Sequence, residues 1–490
     1  MASFIVRAVE VLSHSLEPLG DSVLVDNGVI VRVGRGLSRG YAGEVVVDGY
    51  VTPAFVDAHL HLTGIGLSSM GVDLRGARSA EEVALMISKA RGPIAYGRGW
   101  DQELFENPED LPTRSLLDKV VPDRPAVAVR VCGHMAVANS LALRESGVST
   151  RYPGLVDTEK GIVYEDAVEA LINLILTRID VGALVKKALK LLVENGIAGA
   201  SSMACTPSEA RALADLYRGS VTPPGPPRVA CYPEPKHLGE ALKALADSMY
   251  VGVVGIKLFA DGSLGARTAR LSAPYSDSPG TKGLLLLDAN KIVEEARRHL
   301  ANSLRVAVHA IGDEALDHVI KAYHTLGVGD KGRVEHASIV RPDQVAQLSS
   351  LQAHVVVQPH FRVSDWWIGK RLGPERLGWA YPFKTIKQAG IRLAFSTDAP
   401  VEPLDPLETI RAAESQCDTP ACRPEEALSR KDSFESYTHH AAQASGGPVA
   451  VLGRIGSGHP ALLIQFPDDP RSRPLARPTW IPRASPQLNT

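Results

Sequence analysis

Cysteine is scarce, with five in 490 residues. That is too few and too scattered for a disulfide framework. Cys132, Cys205 and Cys231 lie in apolar, strand-like segments and are expected as buried thiols. Cys417 and Cys422, in CDTPAC, permit a small loop disulfide but not the Cys-x-x-Cys pattern of zinc or redox motifs. Long apolar runs are missing as well. No stretch approaches the ~18 apolar residues of a transmembrane helix. The N-terminal MASFIVRAVEVLSHSLEP, interrupted by Arg7 and Glu10, has neither the h-region nor the cleavage site of a signal peptide. Nor does charge of one sign prevail: 53 basic residues stand against 55 acidic ones. That balance gives no electrostatic case for binding nucleic acid or an anionic membrane. These absences leave the expectation of a cytoplasmic protein acting on a small molecule. The hydrophobic content of 44% is ample for a large core, and the length suggests roughly two to four domains.

Residues 1–52 read as short strands rich in Val and Ile, with Asp26-Asn27-Gly28 as a hairpin turn. They suit a small β-sandwich or partial barrel. The stretch 450–467, AVLGRIGSGHPALLIQFP, looks β again and can pair with them, so this domain is expected from both chain ends, 1–52 and 445–470. Beyond Pro53 a β/α alternation begins. Strand-like runs fall at about 54–61, 197–203, 227–232, 252–260, 304–310, 332–336, 353–358 and 391–397, with helical patterns such as NKIVEEARRHLANS between most of them. Eight such units predict an α/β fold, a (β/α)₈ TIM barrel over 53–63 and 196–444. The connection after the first run is far too long for an ordinary βα loop. Residues 64–195 are therefore expected as an inserted cap and substrate domain over the barrel mouth. The tail, 471–490, is rich in Pro and Arg and is expected to be extended.

The chemistry concentrates at the ends of those runs, where barrel enzymes place it. His59 and His61, in VTPAFVDAHLHL, are two apart in a strand and so face the same side. Imidazole pairs of this kind suit zinc and similar ions. Lys257, in VGVVGIKLFADGS, is the oddity. A barrel-facing ammonium is costly to bury and cannot bind metal. A neutral amine, however, can add carbon dioxide and become a carbamate able to bridge two metal ions. The bland alternative is a salt bridge to Asp261 or Asp398. His309, in RVAVHAIGD, and His336, in GRVEHAS, would complete a second metal position. Asp398, in IRLAFSTDAP, could be a metal ligand and proton acceptor, or a capping residue before Ala399-Pro400. His237, His299, His318 and His324 lie in polar, helix-like surroundings and are expected at the surface.

Together these segments resemble the amidohydrolase superfamily, specifically the amidohydrolase 3 branch with its YtcJ-like and N-substituted formamide deformylase-like members. The matching stretches, in order, are VTPAFVDAHLHL, GRGWDQELF, CGHMAVANSLAL, GIKLFADGSLGARTA, VAVHAIGDEAL, RVEHA, VVVQPHF and FSTDAPVEPLDP, and the resemblance spans about residues 4–467. It implies a TIM barrel with a urease-like β domain and a binuclear centre, most often of Zn²⁺. It implies His59 and His61 on one ion, His309 and His336 on the other, carboxylated Lys257 as the bridge, and Asp398 as ligand and base. A homodimer is a family-level expectation. Near the C-terminus the family shows a Pro-Gly-Lys-x-Ala-Asp pattern, where this chain has SGHPALL, with His459 and Leu462 at the Lys and Asp positions. The His439-His440 pair has no assigned role.

The expected activity is hydrolysis of an amide-type C–N bond, such as an N-acyl or N-substituted formamide bond, by metal-activated hydroxide. Asp398 would take the proton and pass it to the leaving group. His134, in CGHMAVANS, would hydrogen-bond the developing oxyanion, or else pin the cap turn. Asn139, Trp100 and Asp101 are further cap candidates for substrate contact, Trp100 being equally a cap-core candidate, and Gln358, His360 and Phe361 follow the seventh strand toward the same mouth. Asp261 would orient the site from behind Lys257. The same centre could serve deamination or ester hydrolysis. A non-catalytic binding protein on the same barrel is the reading from another class, which a missing ligand would favour.

Overall fold

The structure is a computed structural model. It describes residues 3–37, 43–218, 225–246, 248–414, 418–472, 474–482, 484 and 486. Cys417 lies outside the described residues, and with it the question of its pairing.

Strands from both ends of the chain share one sheet. Phe4–Leu12 pairs antiparallel with Pro18–Asp26 and parallel with Tyr50–Pro53, and the latter pairs antiparallel with Leu463–Phe466. The hairpin at Asn27-Gly28 has φ of 48° and 77° at its two central residues, the backbone of a tight primed turn. Only Leu463–Phe466 of the 450–467 stretch is strand, because Gly453, Gly456, Gly458 and Pro460 interrupt what precedes it. Part of the tail is extended and paired. Thr479–Trp480 adds a strand beside Leu463–Phe466, Trp480 Nε1 donates to the Val193 carbonyl at 2.6 Å, and Ile481 is buried in the sheet's core.

Eight parallel strands follow at the places the apolar runs mark. Phe55–Leu60, Ile197–Met203, Arg228–Tyr232 and Val251–Val253 form one sheet. Gly255–Phe259, Arg305–Ala310, Gly332–His336, His354–Val357 and Arg392–Phe395 form another. The fourth strand is shared between them. It breaks at Val254, whose N–H still reaches the Cys231 carbonyl at 3.0 Å. The eighth strand leads back to the first, since Asp398 N–H donates to the His59 carbonyl at 2.8 Å and His61 N–H to the Ala399 carbonyl at 2.9 Å. This α/β arrangement is consistent with a TIM-barrel hydrolase. The strands are almost wholly buried, as expected of parallel strands covered by helices on the outside. Those helices begin at side-chain caps the sequence supplies, among them Asp180, Thr206 and Asp288.

Between the first and second parallel strands lies a separate sheet of six strands, with Ala95–Trp100, Ala126–Arg130 and Met135–Ala138 at its centre. Alternate residues of Ala126–Arg130 enter two different apolar clusters, so both faces of this sheet are covered. Helix Asp166–Leu176 covers one face and helix Ala80–Ile87 the other. Helices Leu62–Met70 and Val181–Glu194, at the ends of the insert, pack into the core of the parallel strands. Among the described residues, no helix is long and apolar enough to cross a membrane.

Candidate metal centre and active site

Four histidines, a lysine and an aspartate gather where the parallel strands end. His59, His61 and Asp398 each place one ligand-capable atom within 4.8 Å of the others'. Asp398 Oδ1 lies 3.3 Å from His59 Nε2 and 3.1 Å from His61 Nε2. The His336 ring centroid is 4.9 Å from that of His59 and 4.4 Å from that of His309.

Each histidine has one ring nitrogen already committed to a protein oxygen. His59 Nδ1 donates to Glu335 Oε2 at 2.6 Å and His61 Nδ1 to the Met203 carbonyl at 3.1 Å. His309 Nε2 donates to the Gly262 carbonyl at 2.9 Å, and His336 Nδ1 to Gln358 Oε1 at 2.8 Å. These acceptors fix the tautomer, and the second nitrogen of a neutral ring then carries a lone pair. Burial lowers the pKa of His61 and His309 and brings His336 down to about 3, which keeps those rings neutral. Burial alone would raise the pKa of Asp398, but a proton carried on the facing Nε2 of His59 or His61 would hold it well below the usual carboxylate range, and a metal ion would take that proton's place. Lone pairs and an ionised carboxylate therefore converge, an arrangement that a cation relieves.

Lys257 fits the same picture. It is 1% exposed, and among the described residues its Nζ has no hydrogen-bond partner. The bland salt bridge to Asp261 or Asp398 is absent among the described residues. The amine lies over the Phe259 ring, 4.9 Å from its centroid, and burial brings its pKa down to about 8. Asp261 instead accepts backbone N–H groups from Ile311, Gly312 and Arg270, at 3.0, 2.8 and 2.8 Å. It thereby fixes the loop behind His309, from which its Oδ1 is 3.5 Å away.

The backbone is held in unusual conformations at two of these positions. His336 has φ of 73° and Asp398 of 56°. Non-glycine residues adopt this left-handed region at a cost of about 1–3 kcal/mol, and such strain gathers at functional sites. Asp398 is no helix cap: its side chain faces the histidines.

Comparison with known proteins shows the family. The sequence model of the amidohydrolase family matches residues 47–479. The chain belongs to the amidohydrolase family. YtcJ of Bacillus subtilis (strain 168) is 31% identical over 92% of this chain and 91% of its own length. An uncharacterized metal-dependent hydrolase of Pyrococcus horikoshii OT3 has a structure alike at a TM-score of 0.82, with 34% identity over 96% of this chain and 98% of that one. The Arabidopsis thaliana protein LONG AFTER FAR-RED 3 is 28% identical over 93% of this chain and 84% of its own.

In this amidohydrolase the residues expected to touch substrate divide. His134, Asp101 and Phe361 line a cavity of 340 Å³ that opens from the metal-ligand candidates. His134 Nδ1 is 2.7 Å from Glu165 Oε2, and its ring centroid is 5.5 Å from that of His309. Burial alone would depress the His134 pKa, but the Glu165 carboxylate outweighs it and raises the value to about 9. Asp101 pairs with Arg130 at 2.6 Å.

Four other candidates are engaged with partners of their own. Trp100 is fully buried in the cap core, with Nε1 donating to the Ala128 carbonyl at 3.0 Å. Asn139 is fully buried and caps helix Ser140–Ser146; its Oδ1 accepts from Ala142 and Ala126 N–H and its Nδ2 donates to the Val121 and Arg124 carbonyls. Gln358 is turned to His336 and to Ser396 Oγ rather than to substrate. His360 is engaged with Glu402. Replacing Asn139 with Ala strips a cap and removes the side-chain partner of four backbone groups, three of them buried. Urea denaturation should show a loss of about 2 kcal/mol or more, with metal content unchanged.

Other histidine and cysteine expectations are mixed. Cys205 and Cys231 are buried, but Cys132 is half-buried and lines the site beside His134. His324 is exposed, and His237 and His318 are half-buried; His299 is buried, contrary to expectation. His439 accepts from Arg454 and packs on His14, and His440 Nδ1 donates to the Leu393 carbonyl, which ties its helix to the eighth strand.

Three residues went unnoticed in the sequence. Glu335 sits beside His336 in GRVEHAS, and Asp57 lies two before His59. Asp57 is buried and accepts from Thr397 N–H and Oγ1 and from Tyr437 OH, which ties the first strand to the eighth. Strand alternation was the available signal for Asp57, since it shares a face with His59 and His61. Glu165, 31 positions from His134 in sequence, gives no local signal.

Proposed function

We propose that this chain is a metal-dependent hydrolase of carbon–nitrogen bonds other than peptide bonds, working through a binuclear centre, most simply of Zn²⁺. The observation that carries this reading is the buried, unpartnered Lys257 amine beside four histidines whose tautomers leave one lone pair each. His59, His61 and Asp398 would hold one ion, and His309 and His336 the other. The neutral Lys257 amine would add carbon dioxide to give a carbamate between them, releasing one proton to solvent. Such ions would supply Lewis acidity toward water and toward the substrate carbonyl.

The chain's own groups do the rest. Asp398 accepts the proton of the attacking water and returns it to the leaving nitrogen. His134, held by Glu165, presents its Nε2–H to the oxygen on which negative charge develops. Asp261, Glu335 and Gln358 hold the histidines in place. In this reading the two parallel sheets close as one (β/α)₈ barrel split at Val254, with 64–195 as the cap and the two-ended sheet as the small β domain.

Elemental analysis tests the centre directly. After reconstitution with zinc and bicarbonate, the protein should hold about two ions per chain. Lys257→Ala should hold fewer, and added short-chain carboxylates should restore part of the loss. A protein that retains no metal after reconstitution would overturn the reading.

A further inference from the structure

The candidate centre does not sit at the end of one pocket. It sits where two cavities meet. The first, of 340 Å³, runs under the cap and the loops after the sixth to eighth strands, with Leu104, Leu264, Phe361, Trp366, Trp367 and Tyr381 in its wall. The second, of 280 Å³, runs the other way toward helices Leu62–Met70 and Asp166–Leu176, with Leu67, Tyr96, Ile172, Leu176, Met203 and Leu286 in its wall. Among the described residues, those bordering both are Cys132, His134, His309, His336, Asp398 and Val401, all at or beside the centre. Each cavity is by volume near the lower end of the range for small-molecule sites, and each is lined mostly by apolar surface, although Arg98, Glu165, Asp166, Glu169, Glu209 and Glu234 also border the second.

A scissile carbonyl has two substituents that diverge from one trigonal carbon. A reacting carbonyl placed at the junction, within reach of Asp398 and His134, directs one substituent into each cavity. We infer that the substrate class is a secondary amide bearing a bulky apolar group on both sides of the scissile bond, one on the carbonyl carbon and one on the nitrogen. A formamide has only hydrogen on its carbonyl carbon and would leave one cavity empty. The inference rests on the proposed hydrolase reading for the position of the carbonyl, but its test does not need turnover.

The test uses ketones in which CH₂ replaces the amide NH. 1,3-Diphenylpropan-2-one carries both arms, and 1-phenylpropan-2-one carries one. Calorimetric titration of the zinc-reconstituted protein should show the two-armed ketone binding about tenfold more tightly or better, because a second ring leaves water. Leu104→Trp and Leu176→Trp, each filling one cavity, should each reduce the two-armed ketone to the affinity of the one-armed. Leu104→Phe and Leu176→Phe, checked for intact fold by circular dichroism, stand in if the larger residue disrupts folding. Equal affinity for the two ketones, or an effect from one cavity alone, overturns the inference. The matched amides are N,2-diphenylacetamide, acetanilide and formanilide, in falling order of expected kcat/KM. Tight two-armed binding with no hydrolysis of any amide would uphold the two-armed shape of the site but reject the hydrolase reading and, with it, the amide assignment.

Discussion

Asp398→Asn should lose hydrolytic activity by about 10²–10⁴-fold while the protein still folds. The side chain keeps its size and one oxygen, so packing is nearly unchanged, but it can no longer accept a proton. In the native chain the carboxyl is held ionised by His59 and His61, at 3.3 and 3.1 Å, which keeps it available as an acceptor at neutral pH. The fall should appear in kcat more than in KM, because proton acceptance is needed in the transition state rather than in binding. Metal content must be measured on the same sample. A large loss of activity with metal retained assigns the proton transfer to Asp398. Loss of both would make it chiefly a ligand, and full activity with metal bound would remove it from the mechanism.

What could be read in the sequence followed from local periodicity. The eight parallel strands lie where near-continuous Val, Ile and Ala runs mark them, because strands covered on both faces have no polar side to blur the pattern. The six metal-ligand candidates were legible for the same reason, each being a polar exception at or near the end of such a run. The break at Val254 was not, since it depends on which neighbour each half of the strand bonds. Substrate contacts were the weakest part. Trp100, Asn139, Gln358 and His360 all look available in sequence, but each is taken up by a partner remote in sequence: the Ala128 carbonyl, the Ala126 amide, His336 and Glu402 respectively. Sequence order says nothing about which of two polar residues on a loop turns inward. The pairing of the tail had no local signal either, since its partner lies on another strand.

Glu335 is where stability and the centre are joined, and its replacement should be the most destabilising single change. It is fully buried, and its two oxygens take Arg333 Nε at 2.8 Å, Arg333 Nη2 at 3.1 Å and His59 Nδ1 at 2.6 Å. Burial alone would raise its pKa, but the Arg333 charge and His59 outweigh this and hold it far below the usual range. The sign follows from that direction. The group adds stability above its unfolded pKa, and the contribution is lost as pH falls through the folded value. Glu335→Gln leaves the Arg333 guanidinium, itself fully buried and stacked 4.6 Å from the Tyr232 ring centroid, without its countercharge. Breaking a buried pair in this way costs about 3–5 kcal/mol, whereas replacing both partners with apolar residues is often near neutral. The double variant Arg333→Met with Glu335→Met should therefore recover much of the stability in urea denaturation. It should not recover the metal site, because His59 Nδ1 still lacks its acceptor and metal affinity should stay about 10–100-fold weaker. If the double variant regains both stability and metal affinity, Glu335 serves only to neutralise Arg333 and His59 is oriented by something else.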